Sequence, residues 1–169
     1  MAVIGHGIST TFEHMDGLYR PRWKTVTGLL RALDGVTKYL VMRDFESGIE
    51  GGGELDLLVG NYSVAVSTLG GVPAVAADTR VRHSVLVGKM HIEVDFRHPG
   101  DGYFDARWQL DLLKRRVWQG QGHERGFYVP NAVDYFWSLL YHSVVHKQSF
   151  VHRAELNSMV ERLQTRGLI

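Results

Sequence analysis

Two carboxylates stand one residue apart behind a glycine turn in the run Gly51-Gly52-Gly53-Glu54-Leu55-Asp56-Leu57-Leu58-Val59. Side chains on a β-strand alternate faces, so a strand here projects Glu54 and Asp56 together and sends Leu55, Leu57 and Val59 into a core. Oxygen ligands so placed suit a hard divalent cation such as Mg²⁺, or Mn²⁺ in its place. Such a cation commonly takes one or two carboxylates and completes its shell with phosphate oxygens. The competing reading is an edge strand that turns an acidic face to water. A second alternating run, Lys89 to Arg97, puts Glu93, Asp95 and Arg97 on one side and Ile92, Val94 and Phe96 on the other. If the two strands are neighbours, Asp95 adds a third carboxylate, with Glu93 in reserve should the register differ by one ladder step. Three converging acids repel one another unless a cation compensates them. Arg97 could instead neutralise Asp95 as an ordinary pair, and Asp56 could be a structural acid paired with Arg43 or Arg97.

The elements that must hold these groups read as a mixed sheet followed by helices. Residues Met1 to Arg22 carry no clear period, and Pro21 interrupts any helix, so they read as an irregular arm. Trp23, Val26, Leu29, Leu30 and Leu33 recur at helical spacing up to Asp34-Gly35. Lys38 to Asp44 predicts a strand, Glu54 to Val59 a second, and Tyr62 to Leu69 a helix stopped by Gly70-Gly71. Val72 to Ala77 is ambiguous. Arg82 to Val87, Gly88-Lys89 and Met90 to Arg97 predict a hairpin with glycine first in a two-residue turn. Asp105 is placed to cap a helix to about Arg116, with Ala106, Leu110, Leu113 and Val117 as its apolar stripe. The basic run Lys114-Arg115-Arg116 then complements the helix dipole, with phosphate contact as the lesser alternative. Gly120, Gly122 and Gly126 mark a loose connection. Pro130-Asn131, with Asp134 three residues on, opens a helix to about His146 whose buried side is Phe136, Leu140 and Val144. A last helix spans Phe150 to Arg166 through Leu156, Met159, Val160 and Leu163. The expected class is therefore α+β in a single domain over 1–169, with an arm over 1–22, a sheet core over 23–100 and a mainly helical part over 101–169.

Histidine is the competing chemical signal. His142 and His146 lie one helical turn apart, adequate for a transition metal, but a zinc-protease helix needs glutamate directly after the first histidine, and Ser143 stands there. With Tyr135 and Leu139 they form a stripe bordering the apolar face, which suits hydrogen-bonded boundary histidines. No phosphate loop of the G-x-x-x-x-G-K-[ST] type, dinucleotide G-x-G-x-x-G after a strand or G-x-S-x-G elbow occurs. Gly51 to Gly53 is the one glycine run that could approach a phosphate, and it precedes a strand and so lacks a helix N-terminus.

With 169 residues the chain can bury roughly 70% of its unfolded surface without a staple. A formal net charge of +1, with acids and bases interspersed, gives no field suited to a dedicated nucleic-acid binder. The absence of cysteine excludes a disulfide scaffold and cysteine-based zinc or redox sites, and fits a cytoplasmic setting. Neither a signal peptide nor a spanning segment is expected, since Met1 to Thr11 lacks a basic start and no long uncharged apolar run follows.

The order of helix, strand Lys38 to Asp44, glycine turn, Glu54-Leu55-Asp56, helix and a later strand bearing Asp95 resembles the nucleotidyltransferase fold of the DNA polymerase beta-like superfamily. More narrowly, Tyr39-Leu40-Val41-Met42-Arg43-Asp44-Phe45-Glu46, the glycine-acid motif, Gly100-Asp101-Gly102-Tyr103-Phe104-Asp105 and Tyr141-His142 to His146-Lys147 look like uncharacterised bacterial nucleotidyltransferase-like proteins. Some of those are associated with surface-polysaccharide genes. The likeness covers about residues 24 to 147. It implies a small mixed sheet of that type and a metal set of Glu54, Asp56 and Asp95. Glu54 departs from the superfamily's first aspartate by one methylene, and the usual Gly-Ser on the preceding turn is absent, with Ser47-Gly48 reversed.

From that resemblance the expected activity is Mg²⁺- or Mn²⁺-dependent transfer of a nucleotidyl group from a nucleoside triphosphate to a small-molecule acceptor, for example a sugar or polysaccharide precursor. Glu54, Asp56 and Asp95 would be the catalytic and metal-holding residues. Arg43, Gly52, Gly53, His142, His146 and Lys147 would line the nucleotide, although Arg43 is equally placed to pair with Asp44, Glu46 or Glu54. Nucleic acid and membrane are not expected partners, and a homo-oligomer stays open. The two departures favour a second reading, a non-catalytic binding or regulatory protein that keeps the fold.

Overall fold

Five strands form one mixed sheet in the order β1-β2-β5-β4-β3 in the computed structural model, which describes residues 23–43, 45, 54–73, 82–120 and 126–169. The strands are β1 (Tyr39–Val41), β2 (Glu54–Val59), β3 (Val72–Pro73), β4 (Arg82–Val87) and β5 (Met90–Arg97). Among the described residues five α-helices accompany them: α1 (Val26–Asp34), α2 (Tyr62–Leu69), α3 (Ala106–Arg115), α4 (Ala132–Tyr141) and α5 (Arg153–Thr165). A second, two-stranded sheet pairs β6 (Val117–Gln119) with β7 (Phe127–Val129). The fold is α+β. The expected arm over 1–22, the glycine turn Gly51 to Gly53 with its candidates Gly52 and Gly53, Asp44, Glu46, Ser47-Gly48 and Gly122 lie outside the described residues.

Local chemistry sets the boundaries. Thr25 accepts a hydrogen bond from the Gly28 amide and caps α1, so the helix starts three residues later than its apolar spacing implies. Trp23 is used differently: it bridges to Val87, and its indole N–H donates to the Leu69 carbonyl. Asn61 caps α2 by accepting from the Val64 amide, and Gly70 closes it at φ 68, a left-handed conformation that glycine adopts without a Cβ penalty. The hairpin of β4 and β5 pairs Val87 with Met90, with Gly88 at φ 61 in the turn.

The sheet has two different faces. Leu55, Leu57 and Val59 on β2 join Val94 and Phe96 on β5, together with Leu29, Leu30 and Leu33 of α1, in the larger core cluster. Leu40, Met42 and Leu58 point the opposite way, against Tyr103, Phe104, Leu112 and Leu113. β1 and β2 are thus covered on both sides, and β2 is an interior strand with β1 and β5 as neighbours, not an edge. A third cluster joins Phe136 and Leu139 of α4 to Leu156, Met159 and Leu163 of α5.

Three helical expectations need correction. α3 buries Gln109, Leu112 and Leu113, whereas Leu110 is exposed and Val117 belongs to a strand. Gln109 is buried because its amide donates to Asp101 while its carbonyl accepts from the Gly100 amide, tying the helix to the turn before it. The helix opened by Asn131 stops being α-helical at Tyr141 and continues as a π-helical turn, His142–His146, in which the Lys147 amide donates to the His142 carbonyl. Such a turn takes an extra residue, and the buried positions become His142 and Ser143 while Val144 faces solvent. The last helix begins at Arg153, leaving Phe150 and Val151 exposed. The basic run finds acids: Lys114 meets Asp111, Arg115 meets Asp134 and Arg116 meets Asp34. Among the described residues no helix is long and apolar enough to cross a membrane.

A Cβ added at Gly126 would run into the Trp118 indole across the β6–β7 pair. Gly126→Ala is therefore expected to destabilise the protein by about 1–3 kcal/mol, measured as a lowered urea midpoint with unchanged slope. An unaltered midpoint would show that the Trp118 ring is free to move aside.

Candidate metal centre

Parallel pairing of β2 with β5 sets Glu54 opposite Glu93 and Asp56 opposite Asp95. Alternation keeps all four on the face that carries Leu58. One oxygen from each of Glu54, Asp56 and Asp95 lies within 4.8 Å of the others, a spacing that a single cation can span. Asp56 and Asp95 are each 4% exposed, while Glu54 sits at the open start of its strand. Glu93 stands beside Glu54 in register but more exposed, and is not part of the converging trio.

Three guanidiniums already face these acids. Arg43 Nε lies 2.8 Å from Asp56 Oδ2, and Arg97 NH2 lies 2.8 Å from Asp95 Oδ2. Arg82, paired across the hairpin with Asp95, reaches Glu54 at 3.3 Å and Glu93 at 3.5 Å. Among the described residues these four carboxylates, Glu93 included, meet three guanidiniums. Asp95 Oδ1 is buried without a hydrogen-bond partner, as are the Nε groups of Arg82 and Arg97. A buried polar atom left unsatisfied typically costs about 1–3 kcal/mol. The donor set fits a hard cation in being all oxygen and in including a buried carboxylate oxygen with unused capacity, while each of its three acids is matched by one guanidinium.

Tyr103 sits behind the arginines and touches both. Its hydroxyl oxygen accepts from Arg43 NH1 at 3.0 Å, and the Arg97 guanidinium carbon lies 4.2 Å above its ring. The hydroxyl in turn lies 2.6 Å from His142 Nδ1. Arg43 NH1 also lies 3.3 Å from His142 Nδ1, and arginine can only donate, so Nδ1 is the unprotonated acceptor, the tyrosine O–H donates to it, and His142 is neutral. Burial, and then the charge of Arg43, push the His142 pKa down to about 3. Burial likewise raises that of Tyr103. His146 stacks on Tyr103, with centroids 4.1 Å apart and planes 3° from parallel, and its Nε2 lies 2.9 Å from the Tyr103 carbonyl.

The candidates from sequence thus divide. Glu54, Asp56, Asp95 and Arg43 come together, and Arg97 does neutralise Asp95. His142 and His146 are hydrogen-bonded within the protein and connect to the acids through Tyr103 and Arg43. Lys147 is exposed just beyond them. Arg82 escaped the sequence reading, although its position opposite Asp95 follows from the hairpin register. Tyr103 entered only as part of a motif. Two cavities, of about 740 and 850 Å³, lie elsewhere: Tyr135, Glu155 and Arg162 help line the first, Trp108, Trp137 and Tyr141 the second. None of the three carboxylates borders either. Charge and unfilled hydrogen-bonding capacity bear on chemistry more directly than apolar volume does, and both lie in the acidic cluster.

No protein-family model matches the chain, and neither does any curated protein or solved structure.

Because the folded protein holds His142 neutral down to about pH 3 while the unfolded chain protonates it near 6.5, falling pH favours unfolding across that window. Replacing it by Gln, which can still accept from Tyr103, removes this dependence. The stability advantage of wild type over His142→Gln is expected to shrink by about 1–2 kcal/mol between pH 6.5 and 4.5, read from urea unfolding at each pH. A gap that stays constant would mean that the imidazole is not held neutral.

Proposed function

We propose that the protein is a metal-dependent nucleotidyltransferase of the polymerase beta-like type. It would move a nucleotidyl group from a nucleoside triphosphate to a small hydroxyl-bearing acceptor, with sugar or polysaccharide precursors as the acceptor class. The observation that carries this reading is the convergence of Glu54, Asp56 and Asp95, with Asp95 Oδ1 unsatisfied. These residues would hold Mg²⁺ or Mn²⁺, which supplies charge neutralisation to a triphosphate and its leaving pyrophosphate and makes an acceptor hydroxyl a better nucleophile. Asp56 and Asp95 are fixed on interior strands, which preorganises them. Glu54 lies on the open side, where a triphosphate can approach. Arg43 presents a planar fork at the same place and can direct a phosphate oxygen. Asp95 Oδ1 has the remaining acceptor capacity, for a cation or for the O–H of an acceptor.

A second reading is favoured by one specific observation. Each carboxylate of the trio has a guanidinium within 3.3 Å, so the cluster is already partly compensated. That arrangement suits a binding or regulatory protein that keeps the fold without transfer.

Asp56→Asn separates the two. It swaps the charge-assisted bond from Arg43 for a neutral one, so apo stability is expected to fall by about 1–2 kcal/mol. In thermal melts, Mg²⁺ with a nucleoside triphosphate should raise the midpoint of wild type and leave that of Asp56→Asn unmoved. A variant that responds to Mg²⁺-nucleotide as wild type does would defeat the metal centre. Nucleotide binding that is indifferent to EDTA, with no pyrophosphate released from any of the four nucleoside triphosphates across an acceptor panel, would establish the second reading.

A further inference from the structure

We propose that Arg43 and Arg97 are a polyphosphate clamp that the protein keeps engaged on its own aspartates until a divalent cation takes them, so that cation and polyphosphate bind as a pair. This rests on the metal-centre reading above and adds to it an order of events and a second arginine.

The two arginines share a mounting. Arg43 gives Nε to Asp56 and NH1 to the Tyr103 hydroxyl. Arg97 gives NH2 to Asp95 and lays its guanidinium on the Tyr103 ring. Tyr103 is itself fixed by His142 at its hydroxyl and by His146 across its face. A cation that draws Asp56 and Asp95 toward itself therefore leaves both guanidiniums anchored beside the site, each with its carboxylate-facing N–H group released.

The unfilled groups indicate what they would then hold. Asp95 Oδ1 lacks a donor or cation, and Arg97 Nε lacks an acceptor, both buried in one site. A ligand that satisfies one sign of charge leaves the other exposed. A divalent cation carrying phosphate oxygens satisfies both, and the guanidinium fork matches two such oxygens. The competition runs twice over. Cation and guanidinium compete for the aspartates, and aspartate and phosphate compete for the guanidiniums. Each ligand thus removes the other's competitor, and linkage requires the gain in affinity to be mutual.

The probes are Mn²⁺ and inorganic tripolyphosphate, followed by titration calorimetry and by the Mn²⁺ spin-resonance signal, with solution complexation between them subtracted. Wild type should bind tripolyphosphate at least tenfold more tightly with Mn²⁺ than with EDTA. Arg97→Gln should bind Mn²⁺ alone several-fold more tightly than wild type, since a competitor is gone, and should lose most of the tripolyphosphate gain. Circular dichroism checks its fold. If it does not fold, Arg97→Lys keeps the charge without the fork, and its tripolyphosphate gain should fall several-fold with Mn²⁺ affinity unchanged. Absence of Mn²⁺ binding in wild type and variant alike would remove the metal centre and the clamp together. Mn²⁺ binding with equal tripolyphosphate affinity in EDTA, with no tightening in Arg97→Gln, or with a full gain in Arg97→Lys, would overturn the clamp and leave the metal centre standing.

Discussion

Two aspartates held side by side on adjacent interior strands are the constraint to which the site answers. Asp56 and Asp95 are register partners in a parallel pair, and both are buried. Like charges at such spacing raise each other's energy, and the low dielectric of an interior magnifies the effect. Positive charge has to come from somewhere. Here Arg43 enters from the end of β1 and Arg97 from the end of β5, while Arg82 spans the two flanking glutamates from the next strand. Each guanidinium then needs a place of its own, and Tyr103 provides a place for two of them.

That requirement extends into the helical part of the chain. Tyr103 can receive Arg43 only if its proton goes elsewhere, and the acceptor is His142, on the first residue of the π-helical turn. The turn also brings His146 onto the tyrosine ring, with Ser143 buried between the two histidines and bonded back to the Leu139 carbonyl. A regular helix would distribute these residues differently. The irregularity in the last third of the fold and the acid pair in its first sheet are therefore parts of one polar network. Its members hold one another by directional bonds whose removal exposes a buried group.

Much of the sheet was legible because period-two alternation is a local property. β4, β5 and the Gly88 turn follow from residues within sixteen positions of one another, and β2 from the Leu55-Leu57-Val59 set. The burial of Asp56 was not legible, because alternation says which face a residue takes and not what covers that face. Here the covering comes from Tyr103, Phe104 and α3, nearly fifty residues onward. Arg82 was passed over for a related reason: arginine at a strand start is unremarkable until the neighbouring strand is known to carry acids. The π-helical turn has no periodic signature in five residues, so extrapolating an α-helix through it put Val144 on the wrong side.

The same arginines bear on both readings of the site. A structural acid pair needs compensation and nothing else, and three guanidiniums aligned fully with four carboxylates would suffice for that. The observed pairs are not aligned that way. Arg97 uses NH2 on Asp95 and leaves Nε buried and unbonded, while Asp95 leaves Oδ1 in the same state, although a bidentate contact between these two side chains would satisfy both. The Arg97 guanidinium instead lies over the Tyr103 ring while giving one N–H group to the carboxylate. Under the proposed clamp, a ligand that brings a cation to one atom and an anionic oxygen to the other would offset the cost of leaving both unsatisfied.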